Sequence, residues 1–352
     1  MQMISVIIPV YNTARWLPQC LDSVLGQDYR AIEVILVNDA STDNSLAVCK
    51  RYAAKDSRIV LIDKPENEGL ERARHSGLDV ARGKYILHID ADDWLAHPQV
   101  LSYMRETAEE TEADYVETGI LRVLDRHRWF VRNCAVSELL VIEQPELFDR
   151  YYLAFFGVDL LAINMCGKLY RKSTLDRIEI APVGVCMGED LAYNMQLFPH
   201  LKKICILPDA GYNYRVGGMT CRYNPHLLPD LKRLYRMKSE LIERYRYDKA
   251  RNWIRIELKN VLRSAVCQQI VHNAGGEGRS AVIDYIAAEI ADPLYAQLRE
   301  VDASFGFAED PFVQAVLRKD AETIYDLCLR RVRKERPRRV LKQIGYKLLN
   351  LI

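Results

Sequence analysis

No apolar run in this 352-residue sequence approaches the roughly 18–20 residues that a membrane-spanning helix needs. The nine cysteines include no C-x-x-C pair, so neither a zinc site nor a disulfide framework is expected. An odd number of scattered thiols fits buried side chains in a reducing compartment. The first residues pass directly into a strand pattern, with no basic segment, apolar segment and small-residue cleavage site ahead of it. A cytoplasmic protein is therefore expected. No Gly-rich phosphate loop follows the first strand, where Tyr11-Asn12-Thr13-Ala14 stands instead. That absence argues against a nucleotidyltransferase. With no G-x-G-x-x-G after any strand, it also argues against a dinucleotide oxidoreductase. Neither repeats nor low-complexity segments occur.

What is present is the composition of an ordinary globular chain, 49% apolar and 28% charged, with length for two domains or one large one. Net charge is only +1, but it is unevenly spread. From Cys328 to Ile352 nine Lys or Arg face a single Glu, a local +8 that leaves −7 on the body.

Met3 to Val10 is a nearly continuous apolar run, as expected of a strand covered on both faces, with Pro9 near its end. Trp16, Leu17, Cys20, Leu21, Val24 and Leu25 recur at helical spacing before Gly26. Ile32 to Val37, Arg58 to Ile62 and the stretch from Tyr85 read as further strands, separated by helices near Asn44–Tyr52 and Leu70–Ala81. Such alternation predicts an open, mostly parallel α/β sheet. Ligands bind such sheets outside the carboxyl ends of the strands. Tyr11–Thr13, Asn38–Asp43 and Asp90–Asp93 should then face one crevice. Further on, Tyr103 to Thr111 and Glu143 to Phe156 read as helical. Ala113 to Leu124 and Trp129 to Ala135 read as strands, and Met165 to Tyr170 as a strand before a helix near Ser173. A helix should open at Gly188-Glu189-Asp190, and short strands should cover Lys203–Leu207 and Gly211–Arg215. From Pro225 the pattern is mostly helical, with breaks at Gly275–Gly278, Pro293 and Pro311.

The informative stretch is Tyr85 to Trp94, an apolar run that ends in Asp90-Ala91-Asp92-Asp93. Three carboxylates within four positions repel one another unless a cation or a ligand's donors offset them. A hard metal ion held by oxygen ligands would do so. The same residues also fit an acidic turn capping the next helix.

Val6-Ile7-Ile8-Pro9-Val10-Tyr11-Asn12 and Val37 to Ser45 resemble the opening of the family 2 glycosyltransferases of the GT-A fold. Asn67-Glu68-Gly69 with Ala73-Arg74, then Ala81 to Ile86 leading into Asp90-Ala91-Asp92-Asp93, continue the resemblance in order. Lys168-Leu169-Tyr170-Arg171 and Gly188-Glu189-Asp190 are similar to acceptor-side motifs of the bacterial polysaccharide and lipooligosaccharide branch. Roughly residues 3 to 220 are covered.

The resemblance implies a nucleotide-sugar donor, favouring a UDP sugar by family habit, a manganese or magnesium ion, and inversion at the anomeric carbon. It implies donor contacts at Pro9, Tyr11, Asn12, Asp39, Asn67, Arg74, Asp90, Ala91 and Asp92. Asp39 would accept from the uracil ring, Asp92 would bind the metal directly and Asp90 would face the ribose. Asp93 is a supporting partner or a helix cap. Asp190 would be the base that takes the acceptor hydroxyl's proton. Glu189, Lys168 and Arg215 would hold the acceptor or support the site. Glu189-Asp190 alone would equally suit an acidic helix N-terminus. Tyr11 has an equally plain structural reading, and His88 reads as a packed histidine.

Two departures from the family pattern stand out. Ala40 occupies the place of the usual glycine, which predicts a backbone without positive φ there. Glu71-Arg72-Ala73-Arg74-His75 replaces the common Ser-Ala-Ala-Arg-Asn, and Glu71 and Arg72 fit a solvated helix face.

Within the basic tail Val340, Leu341, Ile344, Leu348, Leu349 and Ile352 recur at helical spacing. A basic amphipathic helix fits an anionic membrane surface, where a lipid-linked saccharide acceptor would sit. A docked helix with a charged face is the alternative, and no nucleic acid is expected. The reading is a donor-binding part at 1–101, an acceptor-binding and catalytic part at 102–224, a helical region at 225–327 and a basic tail at 328–352. The expected activity is inverting sugar transfer to a glycan or lipid-linked saccharide. Its non-enzymatic rival is a degenerate transferase acting as a membrane-surface scaffold.

Overall fold

The structure, a computed structural model, describes residues 2–123, 131–133, 136–216, 225–273 and 278–350. The side chains of residues 131–133 and 336–350 fall outside the description. Two compact units emerge, one of residues 1–155 and 159–220, the other of 156–158 and 221–352.

Strands that are apolar along their whole length need cover on both faces, which the intervening amphipathic helices supply. In the first unit β1 (Ile4–Val10), α1 (Leu17–Leu25), β2 (Ile32–Asn38), α2 (Ser45–Ala53), β3 (Ile59–Asp63), α3 (Leu70–Val80), β4 (Tyr85–His88) and β5 (Trp94–Leu95) follow in sequence. Every residue of β1, β2 and β4 is buried. Next come α4 (Val100–Thr111), β6 (Tyr115–Glu117), β7 (Ile120–Val123), β8 (Val131–Asn133), β9 (Leu140–Glu143), α5 (Glu146–Asp149), β10 (Lys168–Arg171), α6 (Lys172–Leu175), α7 (Glu189–Leu197), β11 (Lys203–Ile206) and β12 (Tyr212–Arg215).

The main sheet has the order β3-β2-β1-β4-β10-β6-β11-β9. Its pairings make six strands run one way, with only β10 and β9 reversed, so the sheet is mostly parallel. A smaller sheet has the order β5-β12-β7-β8. It matters because β5 follows the acidic cluster and pairs with β12 through Leu95↔Tyr212 and Trp94↔Asn213.

Two expectations need correction. Ala113 to Leu124 is split between β6 and β7, which belong to different sheets. Glu143 to Phe156 is not one helix: Leu140–Glu143 pairs with β11 as a strand, and an α-turn at α5 and a 3-10 helix at Tyr151–Phe156 follow. Alternation is the physical signal of β9, since Ile142 is buried while Val141 is exposed. The expected break at Pro311 is where one helical segment ends and the next begins, with Pro311 in its first turn, where its missing N–H costs nothing. Trp129, Phe130, Cys134 and Ala135 of the expected strand, and Gly275 and Gly276 of the expected break, lie outside the described residues.

The second unit contains α8 (Leu227–Tyr245), α9 (Arg251–His272), α10 (Gly278–Ile290), α11 (Pro311–Leu317) and α12 (Ala321–Asn350). α12 runs through Cys328 without interruption, and Ile324 and Cys328 on its first turns are buried. Among the described residues no helix is long and apolar enough to cross a membrane. Among the described cysteines Cys20, Cys49, Cys166, Cys205, Cys267 and Cys328 are buried and Cys186 is exposed.

Candidate active site

Because β2, β1 and β4 are parallel neighbours, their carboxyl ends lie side by side and deliver three polar loops to one edge of the sheet. Asn12 links the first two loops. Its carboxamide oxygen accepts from the backbone N–H of Thr42 at 2.8 Å and of Asp43 at 3.2 Å, and its own N–H donates to Ser41 Oγ at 3.2 Å. Asn12 has φ +53, a left-handed conformation that Asn tolerates. Ala40 also has φ +53, contrary to expectation. A left-handed alanine costs roughly 1–2 kcal/mol, so the turn keeps the backbone of the usual glycine at the expense of strain. The Tyr11 ring stands 48% exposed beside these loops.

Asp39 is buried. Its two carboxylate oxygens accept from the N–H groups of Glu68 at 3.0 Å and Gly69 at 2.8 Å, while Asn67 Nδ2 donates to its carbonyl at 3.1 Å. Asp39 and Asn67 thus come together, and in this arrangement Asp39 orders the turn that opens α3. Gly69, at φ +90, permits that turn.

In the third loop the three carboxylates have separate surroundings. Asp93 is buried; one oxygen accepts from Tyr212 Oη and the other from the Arg215 N–H, both at 2.7 Å. Burial, reinforced by Asp90 and Asp92, pushes its carboxyl well up. It does not cap the next helix, which starts at Val100 with Gln99 at the N-cap. Asp90 receives Arg74 Nη2 at 2.8 Å and donates its N–H to Tyr212 Oη at 3.2 Å. Asp92 is half-buried, and its carboxylate engages no other residue's hydrogen bond among those described. Burial and then Asp90 push it up as well. A carboxylate raised in this way and left without a donor suits an oxygen ligand for a hard cation. Among the described residues no three His, Cys, Asp or Glu side chains converge as a ready-made metal cage. One or two carboxylates suffice where a diphosphate supplies the remaining oxygens.

Arg215 braces this loop. Its Nε donates to the Asp92 carbonyl at 2.8 Å and its Nη2 to Gln19 Oε1 at 2.7 Å. Its guanidinium lies 4.1 Å from the Trp16 ring centroid and 4.7 Å from that of Trp94. Lys168 is brought elsewhere. Its buried ammonium donates to the carbonyls of Asn164 at 2.7 Å and Ala162 at 3.0 Å and lies 3.2 Å from Glu117. Of the two expected acceptor-side cations, one supports the acidic loop and the other holds residues 162–164.

The second carboxylate pair stands at the first turn of α7, which Gly188 enters at φ +94. Buried Arg74 joins it to the first. Nη2 binds Asp90, while Nη1 binds Asp190 and lies 3.4 Å from Glu189 Oε1. Burial disfavours the charged guanidinium, and Asp190 and Asp90 more than offset that, so Arg74 stays ionised. Burial, then Asp190, pushes Glu189 up to about 7. Arg74 also lines a small pocket, together with His75, Leu78, His88, Met165, Glu189 and Tyr193. Burial and then Arg74 hold His88 down at about 3, and its neutral ring packs edge-on against Tyr170 at 6.3 Å between centroids.

Sequence reasoning missed two contributors. Tyr212 bonds both Asp90 and Asp93, but a lone tyrosine in a strand carries no signal. Glu71 is not a solvated helix residue as expected: its oxygens accept from the N–H groups of Val183 at 3.0 Å and Gly184 at 3.1 Å. Its departure from the family pattern was the available signal. Arg72 is exposed.

Residues 5–178 match the family described as Glycosyl transferase family 2. The chain is 31% identical over 215 residues to glycosyltransferase GlyA of Streptococcus pneumoniae serotype 4, covering 60% of this chain but 30% of that protein. Its fold is similar to that of S. aureus TarS residues 1–349 in complex with UDP-GlcNAc, with a TM-score of 0.59, 18% identity and coverage of 95% and 92% of the two chains. It is also similar to mannosyltransferase PcManGT from Pyrobaculum calidifontis in complex with GDP-Man and Mn²⁺, with a TM-score of 0.52, 18% identity and coverage of 92% and 87%.

Proposed function

The chain belongs to glycosyl transferase family 2, and from that premise we propose that it moves a sugar, with inversion, from a UDP-linked donor to a hydroxyl of a glycan or lipid-linked saccharide. The observation that carries this reading is the Arg74 bridge. One buried cation gathers Asp90 from the strand-end cluster and Glu189-Asp190 from α7. Two acidic motifs far apart in sequence therefore share one place, as a reaction between a donor and an acceptor requires.

In the proposed single displacement Tyr11 and the Asn12 and Asp39 loops receive the uridine. Asp90, with Pro9 and Ala91 beside it, faces the ribose. Asp190 takes the proton of the acceptor hydroxyl as its oxygen bonds to the anomeric carbon. The bond from that carbon to the diphosphate breaks, and its electron pair leaves with UDP. A manganese or magnesium ion held by Asp92 would supply positive charge to the departing diphosphate. Arg74 keeps Asp190 oriented while neutralising part of the crowded negative charge. Donor choice draws on the UDP-GlcNAc complex of a structural neighbour and the metal on the Mn²⁺ complex of another. The place of action is the cytoplasmic face of a membrane, approached through the basic tail.

UDP release from a panel of UDP sugars, with Mn²⁺ or Mg²⁺ and with chelator, tests the proposal. At least one donor should turn over in a metal-dependent way, and Asp190→Asn should lower kcat by about 100-fold or more. If no donor turns over and none binds with metal, the scaffold reading replaces this one.

A further inference from the structure

We propose that Glu71 is a positioning residue, tethering the loop ahead of α7 so that Asp190 is presented to the donor side of the site. The inference rests on the reading of Asp190 as the proton acceptor and adds how this chain fixes it in place. Residues 179–185 carry no helix or strand, although they lead within a few residues to the α7 carboxylates. A segment of that kind holds its position only if its backbone N–H groups find partners. Glu71 supplies two. Both oxygens of its carboxylate are used, one by Val183 and one by Gly184, and Gly184 has φ +65. Successive N–H groups turned to one side by a left-handed residue form an anion-binding concavity, and charged acceptors make the stronger hydrogen bonds. The other end of the loop is fixed by a side-chain pair of bonds, with Ala181 N–H donating to Gln196 Oε1 at 3.1 Å and Gln196 Nε2 to the Ala181 carbonyl at 3.0 Å.

Glu71 lies one helical turn before Arg74 on α3, so both side chains serve the same face. α3 therefore grips the start of α7 twice. Arg74 holds the Glu189 and Asp190 side chains, and Glu71 holds the backbone that feeds them. Gly188, at φ +94, stands between the tether and the carboxylates as a point where the chain could turn away without Glu71. The family resemblance assigns no role to this position, where a serine is common.

Donor turnover and backbone protection together test the tether. Glu71→Ala removes both acceptors. Glu71→Gln keeps the shape and one acceptor but sets an NH₂ against the second N–H. For the UDP sugar turned over by the wild type, Glu71→Ala should lower kcat by about 10- to 100-fold, with donor KM changing less than about twofold, and Glu71→Gln should fall between. Hydrogen exchange at the Val183 and Gly184 amides should speed up in the same order. Unchanged kcat overturns the proposal, and so does a rise in donor KM that matches the fall in kcat. Should Glu71→Ala not fold, Glu71→Gln is judged by the same criteria. Asp190→Asn runs alongside: retained turnover there removes the base assignment, whereas loss there with no effect at Glu71 removes only the tether.

Discussion

Glu189 and Asp190 are successive residues beside one guanidinium, held to different depths. Glu189 is the more deeply held, and burial and Asp190 push it up to about 7 from an ordinary 4.5, with Arg74 opposing and Asp90 adding. A carboxyl raised on folding takes up a proton that the unfolded chain gives away. Its contribution to stability is fully present below the unfolded value and is lost as pH climbs through the folded one. The stability of Glu189→Gln relative to wild type should accordingly rise between pH 5 and 8, by at most about 3 kcal/mol. Urea denaturation of the ligand-free protein across that range checks it, and a difference independent of pH would refute it. At this scale the acidic positions were legible in the sequence because short motifs carry them. The Arg74 bridge was not, because an ion pair across more than a hundred residues leaves no local pattern. Ala40 misled for a related reason. Sequence records its Cβ, whereas the turn that forces positive φ is set by hydrogen bonds to Asn12 and Asp39.

The element that organises the site is α3. It carries Glu71 and Arg74 on one face and lies against β1 and β2 on another, and Gly77 allows the approach. A Cβ at Gly77 would stand 2.5 Å from Ile7 Cγ2 and 3.4 Å from Val37 Cγ2, both in strands buried throughout. Gly77→Ala should therefore push α3 from the sheet, costing about 1–3 kcal/mol and carrying Arg74 away from Asp90. Paired thermal melts and donor turnover check this, with Ile7→Ala in the same chain expected to restore part of the stability. A Gly77→Ala protein as stable and active as wild type would show that the helix can shift freely. The first four strands and three helices were readable because each apolar run is continuous or strictly periodic. β6 and β7 read as one strand because Gly119 between them is only a weak mark of a bend and carries no sign of a passage between sheets. There Thr118 N–H turns to the Gly167 carbonyl at 2.9 Å and Gly119 N–H to Asp209 at 2.8 Å. Those partners are distant in sequence, so no window of local residues contains the break.

Across the whole molecule charge is divided, with +8 on residues 328–352 and −7 on the rest. A body of net negative charge is repelled by an anionic surface, so any attraction must come from the tail. Each cation brought near such a surface contributes about 1 kcal/mol, enough in sum for peripheral binding but sensitive to salt. α12 provides a continuous helix for those residues through Asn350, anchored on its own unit by buried Ile324 and Cys328. At its exposed middle Arg331 is paired only one turn away, with Glu335 at 2.9 Å. The full chain should then sediment with vesicles rich in phosphatidylglycerol, not with phosphatidylcholine alone, and should be released by about 0.5 M salt, where the screening length is only a few ångström. Removing residues 331–352 spares the buried first turns of α12 and takes away most of the positive charge. The shortened chain should stay in the supernatant while keeping its turnover of a soluble donor. Undiminished vesicle binding by that chain would place the membrane contact elsewhere on the molecule, and loss of turnover with it would make the tail part of the fold.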